Sequence, residues 1–251
     1  MMKEMNIFNT GAEQSNQDTG ITLYHGSCDI IECPLYGRGK PDNDYGSGFY
    51  TTKLFDKAAS WAVGMGEINK SIVNEYKIDL SELKVVNLKD YGVLAWIAEV
   101  ASNRMIKSEL AADFLPDFID KYKPDTSAAD IIVGYRADDS YTDVISAFVD
   151  GLLNSTEVQR LFYRGELGEQ YFIKSPKAFN AIQFVKYTNV DGMNVREQLD
   201  SESQARQEVF KFLNQRRLAV AKRHYVPPIT IIDALESDYH YNSEYDFYEQ
   251  A

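Results

Sequence analysis

The sequence predicts an α+β fold. Period-two apolar patterns stand at the start of the chain, helical patterns fill its middle, and period-two patterns return before a last long helix. Strands, then helices, then strands is not the alternation that winds a parallel βαβ sheet. The 251 residues fit one domain with a small appendage.

In chain order, residues 1–20 are polar and without a hydrophobic period, and read as a loose arm. ITLYHGS (21–27) alternates as a strand, with Ile21, Leu23 and His25 on one face. The stretch 37–48, with Gly37, Gly39, Gly46 and Gly48, is a long loop, and long loops in compact domains carry function or are disordered. FYTT (49–52) is a strand again. Asp56 is expected to cap the helix that follows, with Ala58, Ala59, Trp61 and Ala62 inward. Residues 71–80 and 83–88 read as strands. Residues 94–106 and 110–122 read as helices, the second kinked or broken at Pro116. DIIVGYRADDSY (130–141) joins an apolar run to a polar loop. Two helices follow, from Thr142 and from Ser155. In GEQYFIKS (168–175), Gln170, Phe172 and Lys174 share one strand face, and Glu169, Tyr171 and Ile173 the other. IQFVKY (182–187) is a last strand. Residues 194–222 form one long helix with a solvated basic end, and the acidic, tyrosine-rich 237–251 is a tail or docking segment.

Composition narrows the function. The net charge of −12 disfavours duplex wrapping and polybasic membrane docking, though a local basic groove for a short single strand is compatible with it. No run approaches the roughly 18–20 apolar residues of a membrane span. The N-terminus has no apolar signal core, so a cytoplasmic chain is expected. Cys28 and Cys33 make neither a disulfide framework nor a zinc spacing, and His25, His224 and His240 are too scattered for a metal site. A glycine-rich turn opening a helix after a strand, and a Walker loop, are both missing. A thiol hydrolase built on Cys28 and His25 is disfavoured, because residues three apart at a strand end pair poorly and lack an identifiable orienting partner.

Three segments stand out together: LYHGS (23–27), YGSGFYTTKLFDKAASWA (45–62) and LGEQYFIKS (167–175). With them the chain resembles the ADP-ribosyltransferase superfamily in its histidine–tyrosine branch, the diphtheria-toxin-like and poly(ADP-ribose)-polymerase-like enzymes. More closely, through HGS, GSGFYTT, RADDSY and the glutamine-bearing strand, it resembles a bacterial group known as domain of unknown function 3990. The likeness spans roughly residues 21–190. The spacing is similar too: Gly46-x-Gly48-x-Tyr50 precedes a second aromatic, Trp61, by eleven residues.

This resemblance implies a split antiparallel β-sheet core with flanking helices, residues 191–236 being a helical extension. It implies NAD as co-substrate, without a metal, and cleavage of the nicotinamide–ribose bond through an oxocarbenium-like state. Tyr50 and Trp61 would sandwich the nicotinamide ring. The backbone of Gly26, where a missing side chain permits close approach, would grip the carboxamide, with Ser27 beside it. His25 would donate to a ribose hydroxyl. Ala58 stands where the polymerase branch has a serine, so one carboxamide contact is lost. Arg38 and Lys40 are candidates for the pyrophosphate, and Arg136 for NAD or the acceptor. Asp138 and Asp139 would anchor the acceptor loop.

The late strand departs from the pattern. Gln170 falls where many relatives carry a glutamate. A glutamine bonds a hydroxyl but brings no charge to the oxocarbenium. Gln170 is favoured as the catalytic position, with Glu169 or Glu166 as the alternative acid. A glutamine is a poor base, so mono-ADP-ribosyl transfer is expected rather than polymer synthesis. The resemblance further suggests a bacterial toxin of the toxin–antitoxin or phage-defence type, acting on a protein or nucleic-acid acceptor and neutralised by an antitoxin protein. The competing expectation is a binding module that grips NAD or a partner without turnover.

Overall fold

The computed structural model describes residues 20–64, 70–137, 139–164, 168–192, 195–222 and 231–236. The arm before residue 20 and the tail from 237 lie outside them. The fold is mixed α+β with two small sheets. In the first, β1 (Ile21–Ser27) and β7 (Gln183–Asn189) flank β3 (Ile72–Ile78), all antiparallel. The second runs β2 (Phe49–Thr51), β6 (Glu169–Ile173), β5 (Ile131–Tyr135), β4 (Val85–Asn87). β4 and β5 are parallel, which corrects the expected all-antiparallel core. The two helices between them supply the crossover that parallel neighbours require.

The sheets are stitched together at one residue pair. Tyr24 and Thr52 exchange both backbone bonds, at 2.7 and 2.9 Å. Beyond that pair the strands part, and the functional cleft opens there.

Alternation along β6 explains how the layers stack. Phe172 faces a helical cluster with Trp96, Phe118, Tyr141 and Phe148. Tyr171 and Ile173 face the other way, onto Leu23, Tyr76 and Ile78 of the three-stranded sheet. The four-stranded sheet is thus covered on both faces, and each large apolar side chain buried there contributes about 1.5–3 kcal/mol.

α1 (Phe55–Gly64) lies on β1 and β3. Asp56 sits inside its first turn rather than at its cap, where a carboxylate still complements the helix dipole. α2 (Gly92–Asn103) and α3 (Ala111–Tyr122) pack on each other. Pro116 lies inside α3 without breaking it, because Leu115 and Phe118 on either side are buried in the core. α4 (Asp139–Val149) starts three residues before the expected Thr142, shortening the polar loop after β5. α5 (Ser155–Arg164) follows it. In α6 (Pro176–Ala181) the Ser175 hydroxyl caps the Ala178 N–H and proline fills the first turn. α7 (Arg196–Ala221) packs against α1 and α4, and its Val209 and Leu213 enter the helical cluster. Of its basic end, Arg217 and Lys222 are exposed as expected, whereas Arg216 pairs with Glu157 of α5 and lies over the Phe212 ring. α8 (Ile231–Glu236) rests on α3.

A candidate active-site cleft at the seam of the sheets

A cleft of about 740 Å³ opens where β1 and β2 part. His25, Gly26, Tyr50, Trp61, Arg136 and Gln170 all line it. Each is placed by an identifiable local cause.

Gly26 lets the helix in. A Cβ there would stand 1.9 Å from the Ala58 carbonyl oxygen and 2.7 Å from the Ala62 nitrogen. The missing side chain is therefore required by the close packing of α1 on β1, which differs from the expected reason of ligand approach. That same packing carries Trp61 to the cleft.

His25 closes the seam. The ladder would next pair Gly26 with Tyr50, but the Tyr50 carbonyl instead accepts from His25 Nδ1 at 2.6 Å. A carbonyl only accepts, so Nδ1 carries the proton. Burial holds the ring below its ordinary value of 6.5, opposed by the bond to Tyr50. The neutral ring keeps its lone pair on Nε2. With Nδ1 donating to Tyr50, Nε2 of the neutral ring is an acceptor, whereas the expectation was a donor. The ring packs on Phe49 at 4.3 Å between centroids.

The Tyr50 hydroxyl is already engaged. It donates to the Gly46 carbonyl at 2.8 Å and accepts from the Tyr45 N–H at 3.0 Å. Burial raises its pKa far above 10, so it stays protonated. It pins the glycine-rich loop, and its ring lies tilted on Phe172 at 4.8 Å. Trp61 presents one face to Arg136, whose guanidinium carbon lies 5.1 Å from the ring centre. The Trp61 indole N–H is buried without a hydrogen-bond partner.

Gln170 is buried, opposite Gly134 in the β5–β6 ladder. Its Nε2 donates to Asp44 Oδ2 at 2.9 Å. Asp44 was missed by the sequence reading and joins three elements at the cleft. Its Oδ2 also accepts from the Ala137 N–H at 2.8 Å, and its Oδ1 pairs with Arg104 Nη1 at 2.9 Å. Burial leaves its pKa raised above the ordinary value, and the bonds from Ala137, Gln170 and Arg104 oppose that shift only in part. All three neighbours are donors, which is the geometry of an ionised carboxylate. The loop that carries Asp44 is anchored by Tyr45, whose hydroxyl donates to the Tyr135 carbonyl and accepts from Trp96 Nε1 at 3.0 Å. Gly134 makes room for it: a Cβ there would be 2.4 Å from the Tyr45 oxygen. No sequence pattern marks Asp44, which stands two residues after Asp42 in a polar, glycine-rich loop.

α7 forms the other wall with Leu199, Glu202, Arg206 and Phe210. Glu202 Oε1 accepts from Ser60 at 3.0 Å, Lys57 at 3.2 Å and Gln198 at 2.9 Å. Burial works to raise its pKa, but the bonds from Gln198, Lys57 and Ser60 prevail and hold it below the ordinary value. Four cations (Arg104, Lys107, Arg136, Arg206) and three carboxylates (Asp44, Asp143, Glu202) line the cleft. The cleft is thus locally positive in a chain of net charge −12.

Other expected residues lie elsewhere. Ser27 is buried and bound to Asn74 and to the Asp29 backbone, which holds the turn after β1. Arg38 and Lys40 are exposed and do not line the cleft, because the loop turns its Asp44 end inward instead. Glu169 points to the opposite face from Gln170 and pairs with Lys89. Cys28 lies outside the cleft lining, its thiol 3.8 Å from its neighbour Asp29. Asp138, Glu166 and the side chain of Asp139 fall outside the described residues. Among the described residues, no group of three His, Cys, Asp or Glu side chains is arranged to hold a metal, and no helix is long and apolar enough to cross a membrane.

Fold and site together define a mixed α+β protein with a polar, aromatic-lined cleft at a sheet seam. Residues 21–184 match the family described as "Protein of unknown function (DUF3990)", and the chain belongs to that family. No curated protein and no solved structure matches the chain. The α7 wall of the cleft lies beyond the matched residues.

Proposed function

We propose that the chain is an NAD-dependent mono-ADP-ribosyltransferase of the histidine–tyrosine branch, a bacterial toxin acting in the cytoplasm and held in check by an antitoxin protein. One observation carries this reading: His25, Tyr50, Trp61 and Gln170, far apart in sequence, line one cleft. The cleft also suits a dinucleotide in volume, in its surplus of positive charge and in its aromatic walls.

In this reading the bond between nicotinamide and ribose breaks, and its electron pair leaves with nicotinamide. The acceptor nucleophile then adds to the anomeric carbon and gives up its proton. The Tyr50 and Trp61 rings flank the nicotinamide, and the Gly26 backbone meets its carboxamide. His25 Nε2 and Gln170 Oε1 are acceptors, so they suit a ligand that donates from sugar hydroxyls. Arg136 and Lys107 suit the pyrophosphate better than Arg38 and Lys40, because they line the cleft. A neutral glutamine makes a poor base for activating a second ribose, which favours transfer of one unit over a polymer.

The test is incubation with labelled NAD and a cell lysate, separated into protein and nucleic-acid fractions. Label in one fraction, lost with His25→Ala, is the expected result and names the acceptor class. A second reading, a binding module without turnover, is favoured by the uncharged Gln170. It predicts NAD binding with no label in either fraction.

A further inference from the structure

The cleft holds a buried carboxylate that the reading above does not use. Asp44 Oδ2 accepts from Gln170 Nε2 at 2.9 Å and from the Ala137 N–H at 2.8 Å, while Oδ1 meets Arg104 at 2.9 Å. The Arg104 guanidinium also donates to the Ala137 carbonyl. Loop, β5 end and α2 end are thus closed into one ring of bonds that Arg104 and Ala137 complete by themselves. The bond to Gln170 is additional to that anchoring, and Asp44 and Gln170 both reach the cleft surface.

We propose that Asp44 is a positioning residue: its carboxylate fixes the Gln170 carboxamide with the NH₂ toward the loop and Oε1 toward the ligand. An ionised carboxylate has no proton to donate, so the group facing it at 2.9 Å is the NH₂ and the acceptor is turned away. Asp44 also brings a negative charge from the glycine-rich loop to within one hydrogen bond of the strand position where Gln170 brings none. The inference deepens the transferase reading and rests on it for the ligand.

A reciprocal exchange tests it. Asp44→Asn removes the feature that sets the amide. The kcat of nicotinamide release should fall about ten- to a hundredfold, with KM for NAD changing less, as for a lost bond to a charged group. Gln170→Glu places a second carboxylate beside the first, so one of the two titrates near neutrality and adds a new limb to the pH profile. In the double variant Asp44→Asn/Gln170→Glu the amide and the carboxylate trade places. It should lose that limb and recover about tenfold or more over Asp44→Asn. A purely structural Asp44 would still give the limb, which needs only two adjacent carboxylates, but not the recovery. The proposal is overturned if folded Asp44→Asn keeps kcat within about twofold. It is equally overturned if the double variant is no better than both singles. Should Asp44→Asn fail to fold, the side-chain amide of Gln170 in the wild type decides.

A second readout needs no turnover. The Gln170 side-chain NH₂ resonance, assigned by its loss in Gln170→Ala, should be exchange-protected in the wild type and should move as Asp44 protonates in acid. An unprotected resonance that does not titrate overturns the proposal. Wild-type protein that releases no nicotinamide would overturn the transferase reading instead, leaving this resonance to decide the role of Asp44.

Discussion

The two walls of the cleft are made differently. The strand wall, with His25, Tyr50 and Gln170, lies within the family-matched residues and is tied by bonds to backbone groups or to a buried carboxylate. The α7 wall lies beyond the match and holds by ion pairs and side-chain bonds centred on Glu202. Where a backbone carbonyl or the fit of a helix sets the geometry, the layout follows from the fold. Where side-chain charges set it, the same cleft can be given another wall. In the proposed reading the chemistry belongs to the first wall, and access and selectivity to the second.

Substitutions on each wall break or sharpen this contrast. The largest stability effect is expected from Gly26→Ala. Its Cβ meets backbone, the Ala58 carbonyl at 1.9 Å, so α1 must lift off β1. Denaturant unfolding should show a loss of about 3 kcal/mol, and a loss under about 1 kcal/mol would mean that the helix–strand contact is looser than described. Next comes Glu202→Gln, which keeps hydrogen bonding to Ser60 but leaves Lys57 without its countercharge. About 1–2 kcal/mol should be lost. The charge-dependent part has a defined pH window. The folded constant of Glu202 lies below 4.5, so its stabilisation is complete above 4.5 and disappears as pH falls through the folded value. A variant that matches the wild type above that window would show that Val209 and Leu213 hold the α7 wall without Glu202.

His25 gives a smaller effect at a different pH. Its folded constant lies below 6.5, so the neutral ring stabilises the fold above 6.5, and this contribution is lost as pH falls through the folded value. Thermal unfolding of His25→Asn, which retains a donor near the Nδ1 position, should show a flatter slope than the wild type below pH 6.5. Equal slopes would place the ring in water. The smallest expected effect on stability is from Phe210→Ala on α7. Its ring is 46% exposed, so stability should change by no more than about 0.5 kcal/mol, while KM for NAD or the acceptor rises. A fall in kcat alone would move Phe210 to the chemical wall.

The strands were legible because period-two patterns and a buried face go together: β1, β3 and β6 lie where their alternation placed them. The two faces of β6 were legible for the same reason, and Gln170 reaches the cleft while Glu169 meets Lys89. The break allowed for at Pro116 does not occur, because packing of Leu115 and Phe118 outweighs one lost backbone bond. That Arg38 lies outside the cleft lining was not legible, because charge in a glycine-rich loop says nothing about which end of the loop turns inward. Asp44 could not be seen at all. Its importance comes from Arg104, Ala137 and Gln170, which the chain brings to it from 60, 93 and 126 residues away. Glu202 escaped because a long polar helix past the family-like region reads as an extension until its packing on α1 is known.

The most direct test is release of free nicotinamide from NAD by the purified chain, beside His25→Ala and Gln170→Ala proteins shown to be folded. The transferase reading predicts measurable release by the wild type and a drop of about a hundredfold in each variant. No release above the protein-free rate, or release undiminished in both variants, would contradict it.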